Sequence, residues 1–243
     1  MLTSDGDFIV IKATEGTGYV DPTCDTKYQM NKNAGKLLGV YHYARPDLGT
    51  LPEKEAEFFV ENCKGYIKEA ILALDWESAN KWDVSWAKRW LDRVNELTGV
   101  KPLIYMSSSV TFEYDWTKVV NGDYGLWVAN YGNNNGTNHG CPDVGYWKVV
   151  AIHQYTSNPI DKDVFFGDAK AWKAYAGSSE TKPSPKPTPK TSEPKKEYYT
   201  VKSGDSLWSI SQQYGISLDE IIKLNPQIEN PNLIYPNQQI RVR

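Results

Sequence analysis

"AILALDWE", residues 70–77, is the stretch that decides the fold of this chain. It begins as a run of apolar residues, which is typical of a strand covered on both faces in a parallel sheet. Asp75 and Glu77 follow at the carboxyl end of this run, where α/β folds keep their functional sites. Because residues i and i+2 of a strand point to the same side, both carboxylates are predicted to face the same space.

Five other segments have the composition of strands, with β-branched and aromatic residues throughout. They are residues 8–16, 37–44, 102–107, 125–132 and 149–156. Residues 52–66 and 84–99 have the apolar spacing and the end signals of helices. This alternation predicts an α/β fold with a parallel sheet that closes into a barrel, on whose rim the strand ends converge.

A change in composition divides the chain of 243 residues into two domains. Residues 178–197 contain five prolines, many Ser, Thr and Lys, and no apolar residue, which predicts an extended linker. The predicted domains are therefore residues 1–177, the linker 178–197, and residues 198–243.

Charge and cysteine usage exclude several classes of function. A formal net charge of −3 gives no electrostatic signature of nucleic-acid binding, and no apolar run is long enough to insert into a membrane. Cys24, Cys63 and Cys141 form no C-x-x-C pair and have no metal-ligand spacing with the histidines, so we expect free thiols and no metal or cofactor. The N-terminus lacks signal-peptide features, so action outside the cytoplasm would need holin-type release or a missing N-terminal segment.

Two carboxylates beside aromatic rings suit the hydrolysis of glycosidic bonds, where one acid protonates the leaving oxygen. Neighbouring carboxylates raise each other's pKa, so one of them can stay protonated near neutral pH. This is the sequence-based explanation for the pairing of Asp75 with Glu77.

Six blocks in the first domain together resemble the family 25 glycoside hydrolases, the Chalaropsis-type lysozymes that also occur in phage endolysins. The blocks are "FIVIKATEGTGYVDP" (8–22), "GVYHYARP" (39–46), "LALDWE" (72–77), "PLIYMS" (102–107), "LWVANYG" (126–132) and "AIHQYTSNPIDKDVF" (151–165). The resemblance implies a modified TIM-like β/α barrel. It also implies a muramidase that cleaves the β-1,4 bond between N-acetylmuramic acid and N-acetylglucosamine in bacterial peptidoglycan.

The same resemblance assigns roles to individual residues. Glu77 is similar in position to the general acid and Asp75 to its partner. An aspartate of the "IDKDVF" block, Asp161 or alternatively Asp163, is implied to face them across the groove. The residues implied to bind sugars are Tyr43, Tyr105, Trp127, Tyr131, Gln154 and Asp163. The substrate's own N-acetyl group is expected to act as nucleophile, with Asp75 orienting it.

One feature of the family is missing from the sequence. Members usually begin with a strand G-[IV]-D-x-S-x-x-Q-G that carries a further aspartate, and no such strand precedes residue 8. We therefore expect a barrel without its first strand and with two unpaired edges. The alternative function is a non-catalytic peptidoglycan-binding protein with a truncated, inactive barrel.

The second domain resembles a LysM module, through "VKSGDSLWSIS" (201–211), "LNP" (224–226) and "IYPNQQI" (234–240). This resemblance implies a βααβ fold that binds glycans containing N-acetylglucosamine. The implied contacts are Gly204, Asp205, Ser206, Leu207, Asn232, Leu233 and Ile234. An amidase or peptidase is a weaker alternative, because His42, His139 and His153 lie in unrelated contexts and form neither a Cys-His nucleophile block nor a zinc set. His42 and His153 lie within strand-like runs and are expected to be packed structural residues.

Overall fold

The computed structural model of the protein describes residues 1–178, 198–202, 206–214, 218–228, 234 and 238–242. These residues form two units, each with its own hydrophobic core, and we describe the units separately. Nearly all of the predicted linker, residues 179–197, lies outside the described residues. The domain boundaries therefore stay predictions.

The N-terminal unit alternates strands and helices over most of its length. Its strands are β1 (Leu2–Thr3), β2 (Phe8–Glu15), β3 (Tyr19–Val20), β4 (Leu37–Tyr43), β5 (Ile71–Asp75), β6 (Leu103–Ser107), β7 (Leu126–Ala129), β8 (Ile152–Thr156) and β9 (Lys162–Phe165). Its helices are α1 (Cys24–Asn33), α2 (Pro52–Asn62), α3 (Val84–Thr98), α4 (Val110–Glu113), α5 (Thr117–Asn121) and α6 (Ala169–Tyr175). Helix α3 ends where predicted, because Gly99 follows it with a φ of 71°.

The strands form one sheet in the order β1-β9-β8-β7-β6-β5-β4-β2-β3. The neighbouring strands along the series β2-β4-β5-β6-β7-β8 pair in parallel, and β9 returns antiparallel to β8. The predicted parallel α/β sheet of a modified barrel is confirmed. Parallel pairing brings the carboxyl ends of β4 to β8 to one rim, which positions the site.

The sequence predicts two unpaired edges, but a short strand pairs at each end of this sheet. Strand β1 pairs with Val164 and Phe165 of β9, and β3 pairs with Thr14 and Glu15 of β2. Each end therefore carries a two-residue antiparallel strand. Among the described residues, no strand joins β1 to β2, so hydrogen bonding does not close the barrel.

Apolar side chains pack on both faces of the sheet, which explains why its strands have so few polar residues. One core lies between the sheet and helices α1 to α3, and a second lies inside the curve of the sheet. Helix α6 closes the amino end of this inner core. Its Trp172 is fully buried, with its ring 4.6 Å from that of Phe8 and 5.1 Å from that of Phe165. The Nε1 of Trp172 donates a hydrogen bond to the backbone oxygen of Leu38 at 3.0 Å.

We expect Trp172→Phe to lower the free energy of unfolding of the N-terminal unit by about 1–3 kcal/mol, because the oxygen of Leu38 would lose its donor in the core. Urea denaturation followed by circular dichroism measures this change. Trp82→Phe is the matched control, since Trp82 is 63% exposed, and it should change stability by less than about 0.5 kcal/mol. Equal effects of the two substitutions would contradict the role given to Trp172.

A buried polar network joins β2, β4 and α2 behind the rim. The ring of His42 is bonded through Nδ1 to the hydroxyl of Thr14 at 2.8 Å and through Nε2 to Glu55 at 2.9 Å. Glu55 also accepts hydrogen bonds from the backbone N–H of Arg45 at 3.0 Å and from the hydroxyl of Thr50. Burial lowers the pKa of His42, so the neutral ring donates from Nε2 and accepts at Nδ1.

The histidines and cysteines of this unit lie as the sequence predicts. His153 is 2% exposed and bonded through Nε2 to the backbone oxygen of Asn130, so it is a packed residue like His42. The three cysteines are free thiols, and burial raises the pKa of Cys63. No helix in the described part of the chain has the length and apolar character needed to cross a membrane.

The C-terminal unit has the βααβ order that the LysM resemblance implies. Strands β10 (Tyr198–Thr200) and β11 (Gln239–Arg241) pair antiparallel, and helices α7 (Leu207–Tyr214) and α8 (Leu218–Leu224) lie between them in sequence. The side-chain amide of Asn225 donates to the backbone oxygens of Ile221 and Arg241 and accepts from the N–H of Arg241. These bonds connect the end of α8 to β11.

Candidate active site

A cavity of about 580 Å³ lies at the carboxyl ends of the parallel strands. Eight of the residues that the sequence predicted for the site line it: Asp75, Glu77, Tyr105, Trp127, Tyr131, Gln154, Asp161 and Asp163. They come from β5 to β9 and from the segments that follow these strands. The parallel sheet therefore brings together residues that are up to 88 positions apart in sequence (Asp75 to Asp163).

The two central acids differ in their surroundings because β5 ends between them. Asp75 is the last residue of the strand and is 7% exposed, whereas Glu77 lies beyond the strand and is exposed. Trp76 between them points away into the core, where its ring stacks on Trp86 at 5.5 Å and its Nε1 donates to the backbone oxygen of Lys81. This anchor keeps both carboxyl groups on the cavity side.

Burial is the main cause of the raised pKa values of the acids in the cavity. It raises the pKa of Asp75 well above its ordinary value, and the charge of Glu77 adds to this rise, as the sequence predicted. Desolvation also raises the pKa of Glu77, but here the charge of Asp161 adds to the rise and the charge of Lys81 opposes it. The prediction that Asp75 and Glu77 raise each other's pKa is thus correct for Asp75, with burial as the larger cause.

The Oδ1 atom of Asp75 is buried and has no hydrogen-bond partner among the described residues. A buried carboxyl oxygen without a partner is costly, so such an atom calls for a proton or for a bound donor. Asp75 is therefore suited to contact a polar group of a ligand in the cavity.

An amide and two phenols form a polar wall of the cavity. The hydroxyl of Tyr105 donates to Oε1 of Gln154 at 2.8 Å, and the hydroxyl of Tyr131 donates to the same oxygen at 2.7 Å. This bonding fixes the orientation of the amide, because its oxygen must face both phenols. The Nε2 group of Gln154 is then left to donate to a ligand.

The aromatic wall continues with Trp127, whose ring meets that of Tyr105 edge-on at 4.7 Å. Its Nε1 donates to Oδ1 of Asp163 at 2.8 Å. Asp161 is exposed and lines the same cavity, and its charge adds to burial in raising the pKa values of Glu77 and Tyr131.

Two tyrosines of β4 lie near the acids, and sequence reasoning singled out only Tyr43. Tyr43 is not among the residues that line the cavity, although burial and the charges of Glu77 and Asp75 raise its pKa. Its ring packs against the ammonium group of Lys12 at 4.9 Å, beside the ion pair of Lys12 with Glu15. Tyr41 lines the cavity instead, and the period of two along β4 could have found it, since it shares a face with Tyr43. Lys12 also lines the cavity, and no motif had singled it out.

The predicted LysM contacts are only partly within the described residues. Gly204, Asp205, Asn232 and Leu233 lie outside them. Ser206 is exposed and directly precedes α7, and Ile234 is half-buried against the small core. Leu207 is 2% exposed and belongs to that core, so its side chain packs the unit and is not a surface contact for a glycan.

No group of three or more His, Cys, Asp or Glu in the described ranges has an arrangement that could hold a metal ion. The described groups that line the cavity and can exchange protons are carboxyls, phenols and amines.

Comparison with known proteins agrees with the fold. The family model "Glycosyl hydrolases family 25" matches residues 1–164, and the model "LysM domain" matches residues 199–243. Protein YegX of Escherichia coli is 30% identical over 181 residues, which cover 72% of this chain and 65% of YegX. The chain thus spans less than two thirds of the length of that relative.

Two further proteins are similar over comparable shares of the chain. An N,O-diacetylmuramidase of Arthroderma benhamiae is 27% identical over 181 residues, which cover 66% of this chain and 72% of that protein. The structure of a family GH25 lysozyme from Aspergillus fumigatus matches with a TM-score of 0.57 and 27% identity, over 70% of this chain and 87% of that one. Because the family model covers well over half of the sequence, the chain belongs to glycosyl hydrolase family 25, and a LysM domain follows its catalytic-type barrel.

Proposed function

We propose that this protein is a peptidoglycan hydrolase, a lysozyme of the N-acetylmuramidase type that cleaves the β-1,4 bond between N-acetylmuramic acid and N-acetylglucosamine. One observation carries the proposal. Asp75 and Glu77, both with a raised pKa, line one cavity together with Trp127, Tyr105 and other aromatic residues at the rim of a family 25 sheet. The names of the muramidase and lysozyme relatives support the same substrate.

Glu77 is the proposed general acid. Its raised pKa keeps the carboxyl group protonated to higher pH than an ordinary glutamate, so it can give its proton to the leaving glycosidic oxygen. Its exposure to the cavity lets the proton reach a bound glycan. The rate should therefore fall as pH rises through this raised pKa.

Asp75 is the proposed partner that orients the substrate. Its unpartnered Oδ1 is placed to accept a hydrogen bond from the N–H of an acetamido group, which then attacks the anomeric carbon through its carbonyl oxygen. The negative charge of Asp161 stabilises the positive charge that develops on the sugar. Gln154 and the aromatic rings around it hold the sugars on either side.

The C-terminal unit is proposed to bind the glycan of the same wall. Tethering a hydrolase to its polymer raises the effective concentration of cleavable bonds without new contacts at the active site. The protein would then act at the bacterial cell wall, outside the cytoplasm.

The experiment that tests this proposal measures new reducing ends released from purified sacculi, alongside co-sedimentation of the protein with the same sacculi. We expect both release and binding. Binding without new reducing ends would contradict the proposal and would favour the alternative, a wall-binding protein with an inactive barrel.

A further inference from the structure

Asp163 is a cavity residue that the proposed acid chemistry does not use. It lies on β9 and is 7% exposed. Ser4, which directly follows β1, holds the main chain of Asp163. The N–H of Asp163 donates to the hydroxyl of Ser4 at 2.7 Å, and the backbone oxygen of Asp163 accepts from the N–H of Ser4 at 3.0 Å. These two bonds fix the main chain from which the side chain of Asp163 extends.

The two oxygens of this carboxyl group have different surroundings. Oδ1 accepts the hydrogen bond from Nε1 of Trp127 at 2.8 Å. Among the described residues no other group donates to the carboxyl, although the residue lines the cavity. Its second oxygen is therefore available to a ligand, next to the ring that forms the aromatic wall.

The surroundings of Asp163 favour its protonated form. Burial raises its pKa to about 7, the charge of Asp161 adds to this rise, and the hydrogen bond from Trp127 opposes it. Among the described residues, the titratable groups that the charge of Asp163 affects include the phenols Tyr131 and Tyr155. Lys162, its neighbour in sequence, forms an ion pair with Asp5 at 3.2 Å. The carboxyl group is thus mostly neutral below neutral pH and mostly ionised above it.

We propose that Asp163 positions the glycan as a neutral acid: its O–H donates a hydrogen bond to an acceptor oxygen of a bound N-acetylhexosamine, while its other oxygen holds Trp127. This inference rests on the proposed function, because it assigns a positioning residue to the same cavity. An ionised Asp163 has no proton to donate, and its charge would face the lone pairs of the sugar oxygen. Glycan binding should therefore weaken as pH rises through about 7.

Asparagine separates this role from a purely structural one. The amide oxygen of Asp163→Asn can still accept from Trp127, and its NH2 group can donate as the neutral acid does, but it does not titrate. Asp163→Ala keeps neither contact. The matched control is Asp5→Asn, because Asp5 is an exposed carboxylate that pairs with Lys162 outside the cavity.

The experiment measures kcat/KM of the full-length parent and of the three variants between pH 6 and 8, on solubilised peptidoglycan glycan strands. At pH 6 we expect Asp163→Ala to lose about tenfold, as for one lost hydrogen bond, and Asp163→Asn to recover most of that loss. The neutral fraction of a group with a pKa of about 7 falls roughly tenfold between pH 6 and 8. The ratio of kcat/KM of Asp163→Asn to that of the parent should therefore rise about tenfold from pH 6 to pH 8, since only the parent loses the neutral acid. Ionisation of Glu77 affects both proteins alike and cancels in the ratio.

The outcomes distinguish failure of the role proposed for Asp163 from failure of the proposed muramidase function. A ratio that stays constant with pH, as expected for Asp5→Asn, would overturn the role of Asp163 while leaving the muramidase proposal intact. A parent that produces no reducing ends would overturn both. If Asp163→Asn melts below the assay temperature, the ratio of Asp163→Ala to parent gives the same test, since alanine does not titrate either; a flat ratio again rejects the inference.

Discussion

Replacement of Glu77 by glutamine is expected to lower the rate of glycan cleavage by about 10²–10⁴-fold, the range that a positioned general acid contributes. The amide has nearly the same size and keeps a polar group at the edge of the cavity, but it cannot release a proton to the leaving oxygen. Because Glu77 is exposed and lies beyond the end of β5, the substitution should leave the fold intact.

The measurement is the initial rate of reducing-end release from purified sacculi, together with the fraction of protein that sediments with them. Binding should persist, since the C-terminal unit does not contain Glu77. Glu61→Gln is the matched control: Glu61 is an exposed residue of α2 that pairs only at the surface with Lys64 at 2.7 Å. A Glu77→Gln variant as active as Glu61→Gln would rule out Glu77 as the acid.

Replacement of Glu55 by alanine is expected to lower the free energy of unfolding of the N-terminal unit by about 3–5 kcal/mol, because each buried donor that loses its acceptor costs about 1–3 kcal/mol. Glu55 is fully buried and accepts hydrogen bonds from His42, the N–H of Arg45 and Thr50. Its loss would leave buried donors on β4 and in the following turn without an acceptor, and it would leave a cavity against α2.

Urea denaturation followed by tryptophan fluorescence measures this change, because the ring of Trp90 stacks on His42 at 5.4 Å. The control is Glu57→Ala on the same helix, which removes only surface ion pairs with Lys54 and Arg93. Glu57→Ala should lower the free energy of unfolding by no more than about 1 kcal/mol. Similar midpoints for the two variants would show that the buried network does not stabilise the fold.

The sequence was sufficient to predict the sheet because its signals are local. The apolar run before Asp75 and the similar short runs that contain Tyr105 and Trp127 favour strands covered on both faces, and parallel strands end at one rim. The predicted cavity residues on these strands are brought together for that reason. The Gly at position 99 likewise marks the end of α3 directly.

Other features depend on tertiary contacts that no local pattern records. Strand β1 has only two residues, and it forms because Leu2 and Thr3 meet the free edge of β9. Tyr43 is on the inward face of β4 but turns to Lys12, whose ammonium group attracts its ring. The high pKa of Asp163 comes from burial between β8 and β1, which the "IDKDVF" motif does not show.

The most direct test of a muramidase with Glu77 as its acid is the identity of the sugar at the new reducing ends. Fragments released from purified peptidoglycan by the parent and by Glu77→Gln would be reduced with borohydride and identified by mass spectrometry. We predict reduced N-acetylmuramic acid from the parent and none from the variant. Reduced N-acetylglucosamine from the parent, or no reduced ends while the protein remains bound to the wall, would contradict this function.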